Sequence, residues 1–139
     1  MIEYKEVFHT TQLGIKSIIQ SQGWIVSRNS PHDAFYGRGI YFWERESDAH
    51  CLGRLWYKDN YEIVSEIIPF CNNFSIIDRD MEFPKDADLF SQYFLNKGIN
   101  ILIIPKAYYN HRTKIEALGC SYVWLVCLSS NNDSIKIKF

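Results

Sequence analysis

Two short motifs near the start of the chain combine residue types that could recognise a small molecule. The first spans residues 8–10 (FHT) and the second spans residues 36–43 (YGRGIYFW). Glycine allows positive φ and close approach of the backbone to a ligand, so Gly37 and Gly39 suit a turn that lays the Tyr41 ring against a planar molecule. A glycine pair alone is a weak signal, because a plain junction between a loop and a strand uses the same residues.

Residue periodicity predicts the elements that must position these motifs. Strand formers over 3–9 predict a first strand, with the first motif at its end. Apolar residues at near-helical spacing over 12–22 predict a helix that begins at a Thr10 or Thr11 cap and ends at Gly23. The second motif then leads from a polar loop into a strand.

The rest of the chain is rich in strand formers. A polar loop at 129–133 joins the last two predicted strands, so the sequence predicts a terminal hairpin. Helices concentrated early in a strand-rich chain without a linker favour an α+β fold and a single domain over residues 1–139. The other predicted elements are strands at 24–26, 40–43, 61–68, 74–77, 99–104, 121–128 and 134–139, and helices at 46–57 and 89–95.

Composition limits the class of protein. Hydrophobic residues make up 47% of the 139 residues, which is enough for one core without disulfides or metals. The formal net charge of −1 creates no basic field, so any contact with nucleic acid would be local. Four cysteines form no CxxC pair or Cys/His cluster, which predicts reduced thiols and no metal site. Without a leader or an apolar stretch of ~20 residues, we expect a cytoplasmic protein with no membrane contact.

The two motifs in this order, with a helix between them and another after them, carry a family resemblance. This part of the chain resembles the NAD-binding half of the diphtheria-toxin-like ADP-ribosyltransferases, the His-Tyr-Glu class that includes the poly(ADP-ribose) polymerases. It is also similar to small bacterial toxin domains of that superfamily. The resemblance covers about one-third of the chain. It implies a single ADP-ribosyltransferase-like domain with a split β-sheet core, and NAD as co-substrate.

The resemblance implies roles for individual residues of both motifs. His9 would hydrogen-bond the adenosine ribose of NAD, and the backbone around Thr10 would receive the nicotinamide amide. Tyr41 would stack on the nicotinamide ring, and the backbone at Gly39 could close the floor of the pocket. Holding and orienting a leaving group in this way suits cleavage of the nicotinamide–ribose bond, which builds positive charge on the ribose.

Two arginines and a tryptophan, either Trp43 or Trp56, could also contribute to an NAD site. Arg38 lies inside the glycine pair and Arg28 lies in the loop before it, so either guanidinium could pair with the pyrophosphate. A second stacking aromatic is common among relatives on the following helix, where this chain has Cys51 or Leu52. Trp43 or Trp56 could take its place.

The late motif of the family is where this sequence departs from the pattern. Relatives begin a late strand with a glutamate that holds the nicotinamide-side ribose, whereas the corresponding segment 119–126 (GCSYVWLV) contains no carboxylate. The equivalent position falls at Cys120 or Ser121, whose side chains are poor general bases without an activating partner. Glu116 lies just upstream and could take the role. Polymer elongation is therefore not expected.

These residues lead to three hypotheses about function. The first is a mono-ADP-ribosyltransferase that transfers ADP-ribose from NAD to a protein or nucleic acid, as a toxin or defence effector that could have an inhibitory partner protein. The second is an NAD glycohydrolase, in which water replaces the acceptor. The third is a catalytically inactive module that binds NAD or ADP-ribose and acts by interaction.

Overall fold

A computed structural model describes residues 2–27, 40–76, 87–104, 123–126 and 134–137 of the chain. Within these residues the strands are β1 (Glu3–Gln12), β2 (Trp24–Ser27), β3 (Ile40–Trp43), β4 (Tyr61–Phe70), β5 (Phe74–Ile76), β6 (Ile101–Ile104), β7 (Val123–Val126) and β8 (Ser134–Ile137). The described helices are α1 (Ile15–Gln22), α2 (Glu46–Tyr57) and α3 (Ala87–Leu95). None of these three helices is long and apolar enough to cross a membrane.

The described strands form two sheets. A six-stranded sheet has the order β4-β1-β3-β7-β6-β5, and a two-stranded sheet pairs β2 with β8. The pair β5–β6 is parallel, and the other described pairs are antiparallel. Helices and sheets therefore combine in a small mixed fold, as the sequence predicts at this coarse level.

One face of the six-stranded sheet carries the main apolar core. Side chains alternate between the two faces of a strand, so Val7 of β1 shares a face with Ile40 and Phe42 of β3. Helix α1 contributes Ile19 to this core and β2 contributes Trp24. The buried members of the core are Val7, Trp24, Ile40, Phe42, Val64, Ile68, Ile101 and Ile103.

The opposite face of the sheet is covered by α2. This helix packs against β1, β3 and β4, and it buries Ala49 and Leu52. Gly53 allows α2 to approach β4 closely, because a Cβ atom at this position would overlap the Tyr61 ring of β4. The helix boundaries agree with the prediction for 46–57, since its amphipathic pattern is local.

The start of α1 differs from the prediction. Thr10 and Thr11 do not cap the helix, because both are buried within β1, which pairs along its whole length with the ten residues of β4. Instead, Gly14 precedes α1 in the left-handed region with φ 93°. The Glu62 carboxylate of β4 accepts hydrogen bonds from the backbone N–H groups of Gly14 (2.9 Å) and Lys16 (3.2 Å). At the other end, Gly23 terminates the helix as predicted.

Removing the Glu62 carboxylate is expected to destabilise the protein. Two N–H groups at the start of α1 would lose their acceptor in a Glu62→Ala variant, at a cost of about 1 kcal/mol in the free energy of unfolding. Urea denaturation would measure the difference. Glu6→Ala on the neighbouring strand is the matched control, because Glu6 is solvent-exposed. Equal effects of the two substitutions would contradict a capping role for Glu62.

The predicted terminal hairpin is wrong. Strand β8 pairs with β2, in the register Trp24↔Ile137, rather than with β7. Both edges of β7 are already occupied, by β3 on one side and β6 on the other. A strand has only two edges for hydrogen bonding, so β7 has none to offer to the segment that follows it.

Candidate functional site

His9 links the two sequence motifs. It lies on β1, and its Nδ1 is 2.7 Å from the carbonyl oxygen of Tyr41 on β3. A carbonyl can only accept, so Nδ1 carries the proton and Nε2 is left as an acceptor. The imidazole meets the Trp24 ring at a centroid distance of 5.2 Å and the Phe42 ring at 5.8 Å, both edge to face.

Burial keeps the His9 imidazole neutral at physiological pH. Desolvation among the surrounding rings lowers the pKa of His9 from 6.5 to about 4, although the hydrogen bond to the Tyr41 carbonyl opposes this shift. The neutral ring with a proton on Nδ1 can accept a hydrogen bond at Nε2 from a ligand hydroxyl. It can do so without placing a positive charge in the site.

The side chains of His9 and Tyr41 lie on opposite faces of the sheet. Phe8 is the direct partner of Trp43 in the register between β1 and β3. Alternation then places His9 with Phe42 on the core face, and Tyr41 on the face covered by α2. The Tyr41 side chain is buried there, with 6% exposure.

Thr10 and Trp43 share the α2 face with Tyr41. Thr10 donates a hydrogen bond from Oγ1 to the carbonyl of Ala49 in α2, at 2.6 Å, and is buried. Trp43 is also buried, at 3% exposure. The structure thus brings Thr10, Tyr41 and Trp43 to one face beneath α2, while the His9 ring contacts the second motif through the backbone of Tyr41.

Several predicted site residues lie outside the described residues. They are Arg28, Arg38, Gly39, Glu116 and Ser121. The described strand β7 begins two residues after Ser121 and has the sequence VWLV. It contains no carboxylate, so the glutamate of the family has no counterpart within this strand.

Two cavities follow the edge strand β4. One of about 580 Å³ lies between α1, Trp24 and β4, and another of about 550 Å³ is lined by His50 and Tyr61. The two share Lys16, Glu46 and Ile63 in their linings. Neither is lined by His9, Thr10, Tyr41 or Trp43.

Comparison of the chain with protein-family models, with curated proteins and with solved structures found no match.

Sequence reasoning missed two polar groups of α2. The His50 imidazole has Nδ1 3.0 Å from the Tyr61 hydroxyl, and both line the smaller cavity. Asp48 is buried at 4% exposure, and its Oδ2 accepts a hydrogen bond from Nε of Arg45 at 3.0 Å. The inward position of Asp48, four residues before Leu52, was the available signal for its burial.

A metal site finds no support in the described part of the chain. No group of three or more His, Cys, Asp or Glu side chains is placed there to hold an ion. The imidazole acceptor of His9 lies on the core face and the Tyr41 phenol lies on the face covered by α2, so the two motifs present these groups on opposite sides of the sheet.

Proposed function

We propose that this protein is an NAD-dependent mono-ADP-ribosyltransferase that modifies a protein or nucleic-acid acceptor, as a toxin or defence effector. The observation that carries the proposal is the hydrogen bond from His9 Nδ1–H to the Tyr41 carbonyl. It joins the two motifs that resemble NAD-binding motifs. It also leaves Nε2 of a neutral imidazole as an acceptor for a ribose hydroxyl.

The residues of the α2 face would hold the nicotinamide end of NAD. The Tyr41 ring supplies a planar surface for stacking, and the resemblance assigns the carboxamide to the backbone around Thr10. Because the Tyr41 ring is buried and faces the opposite side of the sheet from His9, one NAD molecule can contact both side chains only after this part of the fold rearranges. We therefore expect association to be slower than an encounter with a preformed pocket.

Two alternative functions remain as outcomes of the test. An NAD glycohydrolase would release free ADP-ribose and nicotinamide without labelling a macromolecule. An inactive binding module would bind NAD or ADP-ribose and release no nicotinamide. The sequence of β7 supports the module, because that strand lacks a carboxylate.

Labelled NAD incubated with the protein and a cell lysate separates these functions. A labelled macromolecule is the expected product, and separate digestion with nuclease and with protease identifies the acceptor class. The proposal fails if NAD shows no saturable binding to the protein. It also fails if His9→Ala leaves both NAD binding and labelling at the wild-type level.

The aromatic surface of Tyr41 has a test of its own. Tyr41→Leu keeps a large apolar side chain but removes the ring, so we expect NAD affinity to fall about 10-fold, in line with one lost stacking contact. Tyr41→Phe keeps the ring and should bind NAD within about 3-fold of wild type, a difference below 1 kcal/mol. Calorimetry measures both dissociation constants. Equal losses in the two variants would contradict a stacking role.

A further inference from the structure

A buried carboxylate on α2 lies on the same side of the sheet as Tyr41. The buried polar and charged side chains among the described residues are Thr10, Thr11 and Asp48, and of these only Asp48 has a carboxylate. Burying a carboxylate is costly unless charges or hydrogen bonds compensate. Arg45 contributes to this compensation, since its Nε and Nη2 lie 3.0 Å and 3.5 Å from the two carboxylate oxygens.

The position of Asp48 around the helix places it on the side of the buried face away from β4. Gly53 contacts Tyr61 of β4, and the Ala49 carbonyl bonds Thr10 of the neighbouring β1. Asp48 lies five residues before Gly53, which is a rotation of about 140° around the helix. It therefore occupies the flank of the buried face furthest from β4.

The strand beneath that flank is β3. The sheet order β4-β1-β3 places β3 on the other side of β1 from β4, and α2 packs on all three strands. The side chains that β3 directs to this face are Tyr41 and Trp43. Asp48 and Tyr41 thus belong to the same layer between the sheet and α2.

We propose that Asp48 supplies the negative charge that the transfer reaction needs next to the ribose. In the proposed reaction the C1′–N bond breaks, its electron pair goes to the nicotinamide nitrogen, and neutral nicotinamide leaves. A lone pair of the acceptor forms the new bond to C1′, and the acceptor proton passes to water. Positive charge moves from the nicotinamide ring to the ribose during this step, and a fixed, buried carboxylate next to the ribose stabilises it there.

This inference rests on the proposed transferase function and extends it to a residue outside both motifs. It accounts for a reaction of this type in a chain whose strand β7 carries no carboxylate. Asp48 acts through its charge and forms no bond to the substrate. Its effect should therefore appear in the rate of nicotinamide release rather than in the affinity for NAD.

The test compares Asp48→Asn with wild type. Removal of the charge is expected to lower the rate of nicotinamide release about 100-fold, as for removal of one preorganised electrostatic group. The dissociation constant for NAD, measured by calorimetry, should change less than about 3-fold. Asp59→Asn is the matched control, because Asp59 is exposed just beyond α2 and should keep the wild-type rate.

A merely structural role for the ion pair predicts a different result. The Arg45→Gln variant removes the same ion pair and keeps the Asp48 carboxylate. If the ion pair were only structural, Arg45→Gln would lower the rate of nicotinamide release as much as Asp48→Asn does. We expect it to keep at least one-third of the wild-type rate. If Asp48→Asn does not fold, the Asp48→Glu variant provides the test. This variant keeps the negative charge but moves it by one methylene. We expect it to fold and to release nicotinamide about 10-fold more slowly than wild type.

The outcomes separate the two proposals. Active wild type together with a folded Asp48→Asn variant that releases nicotinamide at the wild-type rate overturns the role of Asp48 and leaves the transferase proposal standing. A wild-type rate for folded Asp48→Glu, where Asp48→Asn is unfolded, does the same. Wild-type protein that binds no NAD, or releases no nicotinamide with any acceptor, overturns the transferase proposal and the role of Asp48 with it.

Discussion

Lowering the pH from 7 to 4 is expected to reduce the free energy of unfolding by about 3 kcal/mol through His9 alone. The pKa of His9 is about 4 in the folded protein and 6.5 in an unfolded chain. Between these values the unfolded state binds the proton and the folded state does not. Stability from this residue is therefore fully present above pH 6.5, is lost as the pH falls towards 4, and changes little below that.

The physical origin of this effect is the desolvation of the imidazole, which the neighbouring rings partly bury. Protonation would place a charge among the Trp24 and Phe42 rings. The hydrogen bond to the Tyr41 carbonyl would gain strength on protonation, but desolvation is the larger of the two effects on the pKa. Acid should therefore loosen the contact between the two motifs.

Urea denaturation at a series of pH values measures how the free energy of unfolding changes with pH. The variant His9→Asn keeps a neutral donor for the Tyr41 carbonyl and cannot titrate. We therefore expect the part of the pH dependence of its free energy of unfolding that His9 causes between pH 4 and 6.5 to disappear. The control His50→Asn changes a histidine side chain that is 42% exposed, and it should retain the acid-sensitive slope. Identical slopes for wild type and His9→Asn would show that His9 is not the titrating group.

Replacing Phe42 with alanine is expected to lower the free energy of unfolding by about 4 kcal/mol. The Phe42 side chain is completely buried in β3, a strand with neighbours on both edges. Its ring packs against Trp24 at a centroid distance of 5.0 Å and against His9 at 5.8 Å. Because small domains are stable by roughly 5–15 kcal/mol, this single change removes a large share of the total.

Equilibrium unfolding in urea, followed by tryptophan fluorescence, measures the Phe42 effect. Tyr4→Ala on β1 is the matched control, because Tyr4 is 66% exposed and removal of its side chain should cost less than about 1 kcal/mol. Phe42→Leu fills most of the space and is expected to cost about 1.5 kcal/mol. A cost for Phe42→Ala no larger than that for Tyr4→Ala would contradict the placement of Phe42 in the core.

Both predictions concern the same cluster of rings, so they also bear on NAD binding. A Phe42→Ala variant loses one wall around His9, and the pKa of His9 should then rise towards its ordinary value because water reaches the imidazole. Proton titration by NMR would report this change. The position of His9 therefore depends on the core as well as on the motif that contains it.

The local sequence pattern was sufficient to predict elements whose boundaries depend on residues within the element itself. The amphipathic repeat of α2 predicts Glu46–Tyr57 with the observed boundaries, and Gly23 predicts the end of α1. The run of strand formers predicts β3 at Ile40–Trp43. In each case the signal lies within a few residues of the feature, because helix periodicity and glycine φ preferences act locally.

Elements whose extent depends on a distant partner were predicted less well. Strand β1 continues to Gln12 because Tyr61–Phe70 of β4 pairs with all of it, and no residue near Thr10 signals that pairing. The terminal hairpin failed for the same reason, since β3 and β6 already occupy the edges of β7. Pairing in a sheet joins residues far apart in the chain, and local propensity carries no information on the choice of partner.

By itself, the sequence determined the mixed fold class, most element positions and the two motifs that suggest NAD. Tertiary structure alone decided that His9 bonds the backbone of Tyr41 while their side chains face opposite sides of the sheet. It also decided that Asp48 is buried on the helix that covers this part of the sheet. The physical reason is that register and burial arise from contacts between distant segments, so neither the pKa of His9 nor the enclosure of Asp48 can be obtained from residue types and spacing.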